Sequence, residues 1–239
     1  MSSLLISLRK ELQSNSDEKL KESSKRFFKE KIKVYGMKTS LCSQISKKYY
    51  SEVKNKTKKE IFDLCEELFN SGYMEESFIA CNWSYNVHKQ FEENDIKLFE
   101  MWIENYITNW ATCDTFCNHT MGEYIEMFPD QVSTLKKWAQ SKNMWMRRAA
   151  AVSLIVPARR GLFLKDIFEI ADILMMDKED LVQKGYGWML KEASRKNQKK
   201  IFNYVIKNKK VMPRTALRYA IEKMPQELRK KAMVKECVF

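Results

Sequence analysis

Glycine and proline are scarce: the chain of 239 residues holds six and four. A β-rich fold needs turn residues at short intervals, so this scarcity argues against a sandwich or barrel and for helices. Histidine is scarcer still, with two. No nucleophile elbow and no glycine-rich phosphate loop accompanies them, so hydrolase and nucleotide chemistry lack their usual signatures and no nucleotide cofactor is expected. No apolar run approaches the roughly 18 residues of a membrane span. The longest, AAAVSLIVPA, is interrupted by Pro157, and no membrane partner is expected. The opening MSSLLISLRKELQ is too short and too soon charged for a secretory signal. Six cysteines, at positions 42, 65, 81, 113, 117 and 237, follow no paired spacing. They read as reduced thiols of a cytoplasmic protein.

Present in quantity are apolar residues, 44%, and charged residues, 31%, the balance of a folded chain. The length allows one core or one elongated array. A single domain over 1–239 is expected, with N-terminal helices over 1–30 and basic repeats over 191–239. The net charge is +12. From Lys191 to Phe239 there are fifteen Lys/Arg against four Asp/Glu, so one end carries almost the whole surplus. Such a concentration fits a phosphate backbone as partner; a solvated lysine-rich surface is the plain alternative.

Helical periodicity recurs along the chain. KKEIFDLCEELF places Ile61, Leu64, Cys65 and Leu68 on one stripe, and NDIKLFEMWIENYI does the same with Ile96, Leu98, Phe99, Trp102, Ile103 and Ile107. Short polar breaks separate about twelve expected helices of roughly 10 to 16 residues. Thr57, Asp130 and Asp177 are expected N-caps, and Pro129 and Pro213 expected helix starts. SKNMWMRRAAAVSL (141–154) is echoed thirty-six residues later by DKEDLVQKGYGWML (177–190), and NKKVMPRTALRYAIEK repeats the cadence. Intervals of this size belong to paired-helix solenoids. The expected fold is all-α: a solenoid of antiparallel helix pairs with a concave, basic face. Gly185 and Gly187 in one helix imply the close approach of a ligand or of a neighbouring helix.

The stretch NWATCDTFCNHT, Asn109 to Thr120, admits three readings. Cys113, Cys117 and His119 could ligate a metal, but no CxxC pair or fourth ligand accompanies them, and no metal is expected. A helix starting near Ala111 or Thr112 would instead bury Cys113, Phe116, Cys117 and Met121. That leaves Trp110 and Asp114 unexplained, four positions apart, and a catalytic carboxylate beside an aromatic wall is the third reading.

Taken in order, RFFKEKIKVYGMKTS (26–40), NWATCD, WMRRAA and GWMLKEAS resemble the alkylpurine DNA glycosylases built from HEAT-like repeats. The resemblance covers most of the chain. It implies Asp114 as the catalytic carboxylate, with Trp110, Trp188 and Phe27 at the substrate. It implies Arg148 or its neighbour Arg147 as a phosphate ligand. Phe27 departs from the family by lacking a hydroxyl, and Lys38 stands where a neutral polar residue is usual. Lys38, Lys191, Lys199, Lys200, Arg214 and Arg218 are further candidates for the DNA backbone, with Lys207, Lys209 and Lys210 beside them.

The chemistry fits these residues. A purine alkylated at N3 or N7 is already cationic, so its glycosidic bond breaks without protonation of the base. A carboxylate can stabilise the oxocarbenium-like sugar and position water, and aromatic faces attract a cation. The resemblance implies monofunctional hydrolytic excision of 3-methyladenine or 7-methylguanine from double-stranded DNA. It further implies action as a monomer and without base flipping, in the cytoplasm or at the nucleoid of a prokaryote. The rival readings are a non-catalytic protein that binds distorted or branched DNA, and a helical scaffold that binds proteins.

Overall fold

The computed structural model describes residues 3–234, so Cys237 lies outside the described residues. They form fifteen α-helical segments and no strand; the one β-type pairing is an isolated bridge between Lys33 and Tyr73. No helix among the described residues is long and apolar enough to cross a membrane. The chain falls into two compact units that divide in sequence between Thr120 and Met121.

The first unit holds α1 (Ser3–Ser14), α2 (Glu18–Phe27), α3 (Thr39–Val53), α4 (Lys58–Asn70), α5 (Met74–Asn86), α6 (Asp95–Tyr106) and α7 (Trp110–Phe116). Thr57 caps α4 through a reciprocal pair with Glu60, as its spacing predicts. The stripes read from the sequence are the ones buried, except that Leu98 is half-buried. Packed rings fill the interior: Phe116 lies 5.7 Å from Phe99, 5.9 Å from Trp102 and 6.0 Å from Phe69, centroid to centroid. Two buried glutamates at the start of α5 anchor the connection between α2 and α3. Glu75 accepts from the backbone N–H groups of Tyr35 (3.0 Å) and Gly36 (2.9 Å), and Glu76 accepts from the Tyr35 hydroxyl (2.8 Å) and from Arg9 (3.0 Å). Gly36 has φ +84°, and a Cβ there would fall 2.5 Å from the Asp17 carbonyl oxygen, so only glycine fits.

The second unit holds α8 (Gly122–Met127), α9 (Val132–Trp138), α10 (Met144–Val152), α11 (Ile155–Arg160), α12 (Leu164–Leu174), α13 (Asp180–Asn208), α14 (Arg214–Ile221) and α15 (Gln226–Met233). Its interior is built on small residues, among them Ala149, Ala150, Ala151, Ala158, Ala171, Ala193, Ala216 and Ala220. Gly187 shows why. A Cβ on it would lie 2.7 Å from Cβ of Tyr219 and 2.8 Å from the Ala216 carbonyl oxygen, so α13 and α14 touch backbone to backbone there. A Cβ on Gly185 would meet the Arg148 side chain at 3.5 Å, an ordinary contact. Of the two readings of these glycines, close helix packing accounts for Gly187.

Several local expectations change. The helices are more numerous and mostly shorter than about twelve of 10 to 16 residues, while α13 runs for 29 with non-helical backbone at Asn197 (φ −131°, ψ 41°). Pro157 sits inside the first turn of α11, where its missing N–H costs nothing, and the break falls at Ser153–Leu154 instead. Asp130 lies within a 3₁₀ turn, Pro129–Gln131, and does not cap α9. Asp177 stands three residues before α13, whose N-cap position is Glu179; its carboxylate accepts from Glu179 N–H (2.9 Å) and holds Arg147 (2.6 Å). Pro129 and Pro213 do stand at helix starts.

The interval of thirty-six has a structural counterpart. Helices α3, α5, α7, α10, α13 and α14 begin at Thr39, Met74, Trp110, Met144, Asp180 and Arg214, in steps of 35, 36, 34, 36 and 34 residues. Within the first unit α3 packs on α5 and α5 on α7; within the second, α10 packs on α13 and α13 on α14. Each is paired with a neighbour from outside the series, as α4 is with α5 and α9 with α10.

Candidate nucleic-acid interface

In the first unit the site is built on α7. Asn109 caps this helix by accepting from Thr112 N–H (2.9 Å), so the helix starts at Trp110, one to two residues earlier than expected. Trp110 and Asp114 are then one turn apart on one face, both half-buried. Cys113, Phe116, Cys117 and Met121 occupy the opposite, fully buried face. The two cysteines therefore belong to the core, while His119 stands exposed with its ring tilted against Tyr85 at 5.6 Å. Among the described residues, no three His, Cys, Asp or Glu side chains gather where a metal could be held. Past α7 the backbone widens into a π-helical turn at Cys117–Met121, a distortion frequent near functional sites.

Trp110 does not stand alone. The ring of Phe28 stacks on it at 5.3 Å and 17°, and Phe27 meets it edge-on at 6.1 Å and 65°. Phe27 is 71% exposed, a large value for a phenylalanine held by two other rings. Sequence reasoning singled out Phe27 and missed Phe28. The available signal was the FF pair at the end of α2: Phe28 ends that helix in extended backbone, so the two rings leave the chain in different directions. Lys38 is exposed at the N-cap position of α3.

In the second unit the candidates divide. Arg147 and Arg148 are consecutive on α10 and point to different partners. Arg147 donates to Asp177 (2.6 Å) and to the carbonyls of Ser141 (3.0 Å) and Lys142 (2.9 Å), strapping α10 to the segment before α13. Arg148 is 4% exposed and donates to the Leu181 carbonyl on α13. Trp188 is half-buried on α13 and carries a resident cation. Lys191 Nζ lies 5.8 Å from its ring centroid and 5.6 Å from that of Tyr219, and pairs with Glu222 at 3.0 Å. That lysine holds the Glu222 carboxyl below the usual carboxylate range. Arg214 donates to the Met233 carbonyl (3.1 Å), whereas Lys199, Lys200, Lys207 and Arg218 are exposed. Lys209 is half-buried and Lys210 exposed.

Burial pushes the Cys42 thiol up to about 12, and the Cys65 and Cys81 thiols are raised by the same cause, so none of the three is a nucleophile at neutral pH.

An all-helical chain with an aromatic and carboxylate face in one unit and arginines in the other now meets the comparisons. The sequence profile of the DNA alkylation repair enzyme family matches residues 8–224, and the chain belongs to that family. Among solved structures it is similar to one described as a predicted DNA alkylation repair enzyme from Enterococcus faecalis. The TM-score is 0.80 at 14% identity, over 89% of this chain and 98% of that one, a likeness of fold. No protein of curated function matches the sequence.

Proposed function

We propose that this protein is a monofunctional DNA glycosylase that hydrolyses the N-glycosidic bond of cationic alkylated purines, 3-methyladenine and 7-methylguanine, in double-stranded DNA. The observation that carries the reading is the Trp110–Asp114 face of α7, with Phe27 and Phe28 packed on the tryptophan, in a chain of this family. The proposed scaffold is a solenoid of helix pairs acting as a monomer, with a basic concave face turned to DNA, in the cytoplasm or at the nucleoid of a prokaryote.

In this reaction the leaving base carries its own positive charge, so no acid is required. Bond breaking builds positive charge on the sugar, and the Asp114 carboxylate stabilises it electrostatically and orients the water that adds to it. Aromatic faces of Trp110 and Trp188 attract the cationic group, each contributing about 0.5 to 2 kcal/mol depending on how dry the contact is. The chemistry needs no cofactor and no deep base pocket, because charge and not base shape marks the lesion. Phe27 contributes an apolar edge in place of a hydroxyl.

Incubation with a duplex bearing one 7-methylguanine tests this directly. The parent is expected to release free base, and Asp114→Asn to lose about a hundredfold or more in rate with duplex affinity kept. Tight binding with release no faster than the spontaneous rate would make the protein a DNA-recognition module instead.

A further inference from the structure

Away from Trp188, the second unit contains a cationic cluster that none of the motifs above includes. Glu192 on α13 is a buried side chain, 4% exposed, and two arginines converge on the same carboxylate oxygen: Arg159 Nε from the end of α11 at 2.8 Å, and Arg195 Nε one turn along α13 at 2.6 Å. Both arginine side chains are about half exposed, at 51% and 45%. Burial pushes the Glu192 carboxyl up, but the bonds from Arg195 and Arg159 more than offset it and hold the group below the usual carboxylate range. The carboxylate therefore stays charged at neutral pH and fixes both guanidinium groups by their Nε edges. Their Nη edges remain on the solvent side.

More positive charge surrounds the pair. Arg160 is exposed and bonds Glu126 through Nη1 at 2.6 Å. Lys196 is exposed, with its Cβ 3.4 Å from where a Cβ on Gly161 would stand, which places it at the end of α11 beside Arg159 and Arg160. Four cations thus share two acids, both already engaged. Lys199 and Lys200 follow within the next turn, past the irregular backbone at Asn197. Arg195 lies seven residues, two turns, beyond Trp188 on α13, so the pair stands about 10 Å further along the same helical face.

The geometry points to a phosphate clamp: Arg159 and Arg195, fixed by Glu192, bind a phosphodiester of the DNA backbone. This assignment rests on the DNA reading above. Two exposed guanidinium edges held by one buried carboxylate are pre-organised for an oxyanion with several acceptor oxygens, and less side-chain freedom is lost on binding than with free lysines. A shared acid also keeps the two arginines from repelling each other in the absence of ligand.

Binding of a fluorescently labelled duplex to the full chain, followed between about 50 and 200 mM salt, tests the clamp. Arg159→Gln/Arg195→Gln is expected to flatten the slope of log affinity against log salt by about 2, one unit per lost phosphate contact. Lys47→Gln/Lys54→Gln, a charge-matched exposed pair on and just after α3, is expected to leave the slope in place. Arg159→Lys/Arg195→Lys keeps the charge but not the fork; it should retain the slope and bind more weakly. Equal flattening in the Lys47/Lys54 variant, or a parental slope in a folded Arg159/Arg195 double variant, overturns the clamp and leaves those arginines as a structural strap. Inorganic phosphate, titrated by calorimetry, should bind too weakly to register. Tight phosphate binding beside an unchanged duplex slope would assign the pair to free phosphate and also overturn the proposal. The glycosylase reading fails separately: a parent that binds duplex steeply yet releases no 7-methylguanine leaves the clamp standing.

Discussion

The two units of the chain differ in charge more than in any other property. Met1–Thr120 carries eighteen Lys/Arg and eighteen Asp/Glu, whereas Met121–Phe239 carries twenty-five against thirteen. The whole net charge of +12 therefore belongs to the second unit. Their interiors differ as well: rings of Phe62, Phe69, Phe99, Trp102 and Phe116 fill the first, and alanines and a glycine let helices close up in the second. The lesson is a separation of tasks. The neutral unit carries a carboxylate against aromatic rings, a place suited to a cationic group. The basic unit carries arginines fixed by acids, a place suited to phosphates. A carboxylate set among twelve surplus cations would be screened and paired; placed in the neutral unit, it keeps more of its field.

The largest expected effect lies in the ring-packed core. Phe116→Ala removes a fully buried ring that touches Phe69, Phe99 and Trp102. It should cost about 3 to 5 kcal/mol in urea unfolding, where a cost below about 1 would mean that this core repacks freely. In the basic unit the corresponding sensitive point is a glycine. Gly187→Ala forces a Cβ into Tyr219 and the Ala216 backbone and should destabilise by about 1 to 3 kcal/mol. Gly185→Ala meets only an ordinary contact, so the gain in helix propensity should make it neutral or slightly stabilising. If the two variants behave alike, backbone contact between α13 and α14 is not what sets the small-residue interior.

Smaller effects sharpen the electrostatic side. Phe28→Leu removes the stack on Trp110 and should cost no more than about 1.5 kcal/mol, since the stack adds about 0.5 to 1.5 beyond burial. A loss as large as that of Phe116→Ala would move Phe28 from the site into the core. Glu192 titrates below the usual carboxylate range in the folded state. Its contribution to stability is thus complete above the unfolded-chain carboxylate value and is lost as pH falls through the depressed one. Unfolding measured from neutral to acid pH should show a shallower acid limb in Glu192→Gln than in the parent; equal limbs would mean that the arginines do not hold this group.

Much of the fold was legible because helices report their buried face in a single chain's periodicity. The stripes of α4 and α6, the cap at Thr57 and the thirty-six-residue echo all survive in the structure. Boundaries were harder, because caps depend on where a side chain lands: Asp177 reads as a cap but is drawn to Arg147, and Asn109, one residue outside the expected range, does the capping. Of the candidate site, Trp110 and Asp114 were visible by their spacing. Phe28 was not, since a stacking partner eighty-two residues away leaves no local trace. Arg159, Arg195 and Glu192 were hidden for the same reason, with only the Glu192–Arg195 spacing of three as a hint.

The sequence by itself determined that the chain is helical, where most helices lie, that its positive charge is gathered toward one end, and that a carboxylate and a tryptophan share one helical face. These follow from composition and from the 3.6-residue period, which act over a few turns. Only the tertiary structure decided which of two adjacent arginines is buried under α13 and which ties down Asp177, which glycine is sterically required, and which acid holds two arginines at once. Those outcomes depend on contacts between helices far apart in sequence, and no local pattern encodes the distance between them.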